Sequence, residues 1–134
     1  MADLILKSAQ ITFSLPKGDD KDTDTAVSVE VTTKYKKKYK LSIARKLNFA
    51  NNDTWEDTGD KSYTYDLNHS SIKLEMIDDI TVHIQIHPNG NDTVKFGYKL
   101  LLVFDDGEGG VLPIPIDEDN ITLSQNNRDH YYTE

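Results

Sequence analysis

Apolar and polar residues alternate with a period of two along most of this chain. Ile11, Phe13 and Leu15 are separated by Thr12 and Ser14; Val27, Val29 and Val31 by Ser28 and Glu30; Val82, Ile84 and Ile86 by His83 and Gln85. Successive side chains of a strand point to opposite faces, so the pattern reads as strands with one buried and one wet face. Tyr63, Tyr65 and Leu67 make a shorter run of this kind, and Leu41, Ile43 and Leu47 another, interrupted by Arg45. The stretch 96–104 carries apolar residues on both faces around 100–103, which predicts a central strand. No segment keeps a 3.6-residue apolar period over the roughly 11 residues that a helix needs, although 72–79 admits one helical turn. Pro113 and Pro115 lack an N–H to give a ladder, which places 111–116 at a sheet edge or outside it. From Asn127 onward the polarity is mixed, and that tail is expected to be loose.

Short strands parted by turn signals every 8–12 residues or so predict an all-β fold, an antiparallel β-sandwich of about eight strands. A length of 134 residues fits a single domain spanning 1–134. A chain of that size buries roughly 65–70% of its unfolded surface, enough for a core without covalent staples.

Strand parity then makes a positional prediction. If strands over 3–15, 26–33, 41–48, 62–67 and 80–87 alternate in direction, the loops 16–25, 49–60 and 88–93 fall on one rim. The turn 34–40 falls at the opposite end. Those three rim loops carry oxygen ligands: Asp19, Asp20, Asp22 and Asp24 in the first, Asn51, Asn52, Asp53, Glu56, Asp57 and Asp60 in the second, Asn89, Asn91 and Asp92 in the third. Like charges a few ångströms apart cost on the order of 1 kcal/mol per pair even in water. A hard divalent cation removes that repulsion. Calcium accepts six to eight oxygens in loose geometry at roughly 2.3–2.6 Å, whereas magnesium demands a strict octahedron, so the candidate cofactor is calcium. Its candidate ligands are Asp19, Asp20, Asp22, Asp24, Asp53, Glu56, Asp57, Asn89, Asn91 and Asp92. The run from Asp20 to Asp24 has the spacing that opens an EF-hand loop. Thr25 stands where that loop requires glycine and Val31 where it requires glutamate, which excludes an EF-hand.

Charge and cysteine content narrow the partners. The net charge is −8, from 23 acidic and 15 basic residues, and a chain so acidic lacks the basic footprint of a nucleic-acid binder. With no cysteine, disulfides, thiolate-zinc sites and thiol nucleophiles are excluded. No apolar run approaches about 18 residues, so no transmembrane segment is expected. The N-terminal stretch lacks a basic start and an apolar block and does not read as a signal peptide, which leaves a cytoplasmic location or non-classical release.

The order of segments resembles a known group of domains. GDDKDTDTAVSVEV is followed by TWEDTGDKSYTYDL, then ITVHIQIHPNGNDTVKFGYKLLLVF, then ITLSQNNR. This is similar to the small calcium-associated β-sandwiches of the PLAT (lipoxygenase-homology) and C2-like family over about residues 5–128. Asp24-Thr25, Tyr65-Asp66-Leu67, the segment 87–92 and the segment 95–98 occupy places comparable to the family's motifs. The long loop 49–60 and the Pro113/Pro115 edge depart from it. The resemblance implies a non-enzymatic interaction module that contacts a lipid headgroup or a protein partner through calcium.

Trp55, the sole tryptophan, sits inside the second acidic loop, where it reads either as a ligand-contacting tip or as an anchor packed on the core. As a tip it also fits a second function class, a calcium-assisted lectin-like module that binds glycan. The run Lys34-Tyr35-Lys36-Lys37-Lys38-Tyr39-Lys40 is either a solvated hairpin whose lysines discourage edge pairing or a basic patch. In the second case the chain would be a structural or toxin-accessory subunit assembling through it. His83 and His87 share a strand face about 13 Å apart, too far to chelate one metal. No Ser-His-Asp order, phosphate loop or paired-histidine zinc signature is present, so no catalytic residues are expected.

Overall fold

A computed structural model describes residues 3–15, 25–35, 39–49, 61–69, 72–88 and 93–133. The described residues form nine strands: β1 (Ile5–Leu15), β2 (Ala26–Tyr35), β3 (Tyr39–Phe49), β4 (Lys61–Asp66), β5 (Asn68–His69), β6 (Thr81–His87), β7 (Thr93–Asp105), β8 (Val111–Ser124) and β9 (Asp129–Thr133). They build two antiparallel sheets, β4-β1-β7-β8 and β5-β3-β2-β6-β9. The expected all-β sandwich is therefore the observed one. The only helical element described is a 3-10 turn, Leu74–Met76, inside the stretch that admitted one.

The core lies between the sheets, where the period-two pattern places it. Ile11 and Phe13 of β1, Val29 and Val31 of β2, Ile84 and Ile86 of β6, and Leu100, Leu102 and Phe104 of β7 are fully buried. β7 is the interior strand that 96–104 predicted, flanked by β1 and β8. Its outward Leu101 and Val103 are half-covered, which explains the double-sided apolar pattern. β8 carries Pro113 and Pro115 and is the edge strand of the four-stranded sheet. Its free side needs no N–H donors, so proline costs little there.

Two expectations from the pattern are corrected. Leu47 does not alternate inward with Leu41 and Ile43: it is 54% exposed, and Phe49 is buried instead. β3 is bulged, with Val27 facing Phe49 but Val29 facing Lys46, so two residues, Leu47 and Asn48, stand opposite Ser28. Asn48 takes φ 53° to make that step, a left-handed conformation that asparagine tolerates better than most residues. The tail is not loose either. Residues Asp129–Thr133 pair with residues 81–85 of β6, because Tyr131, His130 and Tyr132 give the tail side-chain partners that a count of apolar residues does not register.

Candidate functional site

Four connections between strands leave the same pole of the sandwich, and each crosses from one sheet to the other. Leu15, the last residue of β1, is the partner of Lys61, the first of β4. Ser14 faces Gly97 of β7, and Thr93, where β7 begins, faces Ser124 at the end of β8. In the second sheet, Ala26 at the start of β2 faces His87 at the end of β6, and Val27 faces Phe49 at the end of β3. The connection 125–128 ties the two sets of ends together. It leaves Ser124 in one sheet, and the Arg128 carbonyl accepts a 2.9 Å hydrogen bond from Ile86 N–H in the other. The remaining three connections are the acidic ones: 16–24 from β1 to β2, 50–60 from β3 to β4, and 89–92 between β6 and β7.

Asp19, Asp20, Asp22, Asp24, Asp53, Trp55, Glu56, Asp57, Asn89, Asn91 and Asp92 all lie outside the described residues. What the structure brings together is the six strand ends that bracket them. Among the described residues no group of three or more histidine, aspartate or glutamate side chains converges as a metal site. A cation at this pole would therefore be held by the loops.

Beneath the pole is a floor of aromatic rings that the sequence reading did not single out. Phe13 of β1 lies 5.4 Å from Phe96 of β7, edge to face, and 6.1 Å from both Phe49 of β3 and Tyr65 of β4. Phe49 and Tyr65 are 4.6 Å apart. Lys46 Nζ sits 5.8 Å and 5.5 Å above these last two rings. The cluster links both sheets and fixes the ends of β1, β3 and β7 relative to one another. Each aromatic pair adds about 0.5–1.5 kcal/mol beyond its buried area. The signal was present in the sequence as a phenylalanine within three residues of three of the strand ends, Phe13, Phe49 and Phe96.

The opposite pole also carries acid. The hairpin between β7 and β8 reads DDGEGG. Asp106 Oδ1 accepts backbone N–H bonds from Glu108 at 2.7 Å and Gly110 at 2.9 Å, and Asp105 Oδ1 accepts from Gly107 at 2.6 Å. These bonds hold the Asp106 carboxyl below the usual carboxylate range. The Asp105 and Asp106 carboxylates already serve as turn caps. At the same pole Lys34 faces Lys40 across the β2–β3 hairpin, while Lys36, Lys37 and Lys38 lie outside the described residues.

A second polar group lies on the outer face of the five-stranded sheet. Asn48 N–H donates to Ser28 Oγ at 3.0 Å, and Ser28 Oγ lies 2.9 Å from His87 Nε2. His83 Nε2 lies 2.7 Å from Asp129 Oδ1, and the Tyr131 ring stacks on His83 at 4.2 Å with an interplanar angle of 3°. His83 and His87 do share this face, as their spacing required.

Compared with known proteins, the chain matches no family model, no curated protein and no solved structure. No helix among the described residues is long and apolar enough to cross a membrane.

Proposed function

We propose that this chain is a calcium-binding, non-enzymatic interaction module of PLAT/C2-like form that contacts a lipid headgroup or a protein partner through its acidic pole. One observation carries the reading: the six strand ends bracketing the three acidic segments gather at one pole, fixed by the register of both sheets. Nine carboxylates tethered to ends so close together repel one another unless a cation joins them. Calcium is the ion whose loose oxygen coordination loops can satisfy. Asp22 and Asp24 stand in sequence just before the buried Thr25, which precedes β2, and Asp92 just before Thr93, the first residue of β7. A partner's phosphate or carboxylate oxygen would complete the coordination sphere.

A binding role rather than catalysis fits the one Ser–His pair described. Ser28 is almost fully buried, and among the described residues no carboxylate orients the other nitrogen of His87. A nucleophile needs both access and an oriented base.

Calorimetric titration of chelator-treated protein with calcium is expected to show saturable binding. A hundredfold excess over Kd should add about 2.7 kcal/mol of stability, and Asp22→Ala combined with Asp24→Ala should abolish that gain. Liposome sedimentation and a glycan array, each with calcium and with chelator, identify the partner. Retention on glycan that is lost in chelator, without retention on lipid, would replace the lipid or protein reading with the calcium-assisted lectin-like one.

A further inference from the structure

The bulge in β3 does more than bury Phe49. It turns Leu47 out to solvent and swings the Asn48 backbone toward β2, leaving a shallow depression of about 310 Å³ over the middle strands of the five-stranded sheet. Ser28, Glu30, Asn48, His83, Gln85 and His87 line it, with Leu47 as one wall. That volume matches the lower bound, about 300 Å³, for small-molecule sites. Bulges are often found where a sheet re-aims a side chain beside a binding site.

The lining groups are held in place before any ligand arrives. Ser28 Oγ accepts from Asn48 N–H and shares a hydrogen bond with His87 Nε2, which ties the imidazole to the bulge. His83 is fixed from the other side by Asp129 and by the stacked Tyr131. Glu30 stands opposite His83 as its cross-strand partner, and Gln85 lies between the two histidines on the same face.

The chemistry selects among ligand classes. An extended peptide cannot add here as a strand, because β2 is paired on both sides, with β3 and with β6. The Glu30 carboxylate disfavours a phosphate. His83 and His87 are four residues apart on one strand, too distant to chelate a metal. What remains is a set of fixed donors and acceptors intermingled, with an apolar wall at Leu47. Vicinal sugar hydroxyls, each donating one hydrogen bond and accepting others, complement such a set, while a sugar's C–H face suits Leu47.

We infer that this depression binds a single sugar residue on the sheet face, independently of calcium and of the acidic pole. The test is NMR titration of the full chain, in chelator, with the methyl glycosides of glucose, galactose, mannose and N-acetylglucosamine, and with glycerol as control. At least one glycoside should perturb the side-chain resonances of His83, His87, Gln85 and Asn48 with a Kd on the order of 1 mM, and glycerol should not. Gln85→Ala and His87→Ala, both on the outer face, should each weaken that binding about tenfold with the backbone spectrum otherwise retained. Absence of perturbation by all four glycosides, perturbation equal to that by glycerol, or unchanged binding in both variants would overturn the assignment. Loss of the calcium response in a chelated sample leaves this experiment unaffected, so the two readings fail separately.

Discussion

The Tyr98 phenol and the His130 imidazole meet where β7 faces β9, with Tyr98 Oη 3.1 Å from His130 Nε2. Both groups are shifted in the direction that burial dictates. Desolvation, followed by the nearby charges of Glu118 and Tyr132, pushes the Tyr98 phenol well above its ordinary range. Desolvation lowers His130 from its ordinary 6.5, Glu118 opposes that shift, and His83 adds to it. The signs follow from linkage. A histidine whose folded pKa is depressed contributes stability that is full above the unfolded value and is lost as pH falls through the folded one. A phenol whose folded pKa is raised destabilises the fold once the unfolded chain ionises, above about pH 10. Urea midpoints measured against pH should therefore fall on the acid side of pH 6.5 and again above pH 10. Tyr98→Phe should remove the alkaline decline. Phe13 is the cross-strand partner of Tyr98, and Phe13→Ala, which leaves the aromatic floor without its central ring, should cost about 3–5 kcal/mol in denaturant unfolding. The inward direction of Phe13 was legible from the alternation of Ile11, Phe13 and Leu15. The Tyr98–His130 contact was not, because 32 residues separate its members and nothing local marks a hydroxyl buried against an imidazole.

Bulges decide how the strands deviate from their simple pattern. β1 carries one at Lys7, between the Leu6–Phe104 and Ser8–Val103 pairs, so the buried positions step from Leu6 to Ala9 rather than every second residue. β8 carries another opposite Gly97, with Phe96 facing Ile121 and Tyr98 facing Glu118. Asn120 takes φ 60° there. A Cβ on Gly97 would lie 2.6 Å from Asp119 Oδ1 and 3.1 Å from the Glu118 carbonyl oxygen. The Asp119 side chain can move, but the backbone carbonyl cannot move cheaply. Gly97→Ala should thus destabilise by about 1–3 kcal/mol, and Asp119→Ala in the same chain should recover only part of the loss. β9 supplies the complementary case. Its mixed polarity reads as a loose tail, yet it closes the edge of β6 with five paired residues and with the His83–Asp129, Tyr98–His130 and Thr81–Thr133 contacts. Removing residues 129–134 should expose the β6 edge and yield a protein that unfolds at lower denaturant and aggregates on concentration. Periodicity identifies a strand through its apolar face. A strand held by polar and aromatic cross-strand partners has no such face to reveal.

At the scale of the molecule, the sequence pattern carried the architecture further than it carried the site. Alternation located six of the long strands to within a few residues. Parity alone placed the ends of β1, β3 and β6 and the starts of β2, β4 and β7 together, as the registers do. The outer-face group of Ser28, Asn48 and His87 was not visible, because it depends on a bulge that shifts the β3 register by one residue. The two poles differ in a way that turns the calcium reading into a mapped prediction. Asp105 and Asp106 at the hairpin pole are engaged by their own backbone, whereas the acidic connections of the other pole leave from Leu15, Phe49 and His87 and return at Thr25, Lys61 and Thr93. The most direct test is an NMR amide map of the chelator-treated chain titrated with calcium. Amide shifts are expected to centre on residues flanking that pole, Leu15, Thr25, Phe49, Lys61 and Thr93, with Gly107 to Gly110 unmoved. Shifts confined to the 105–111 hairpin, or no saturable shift at all, would contradict the account.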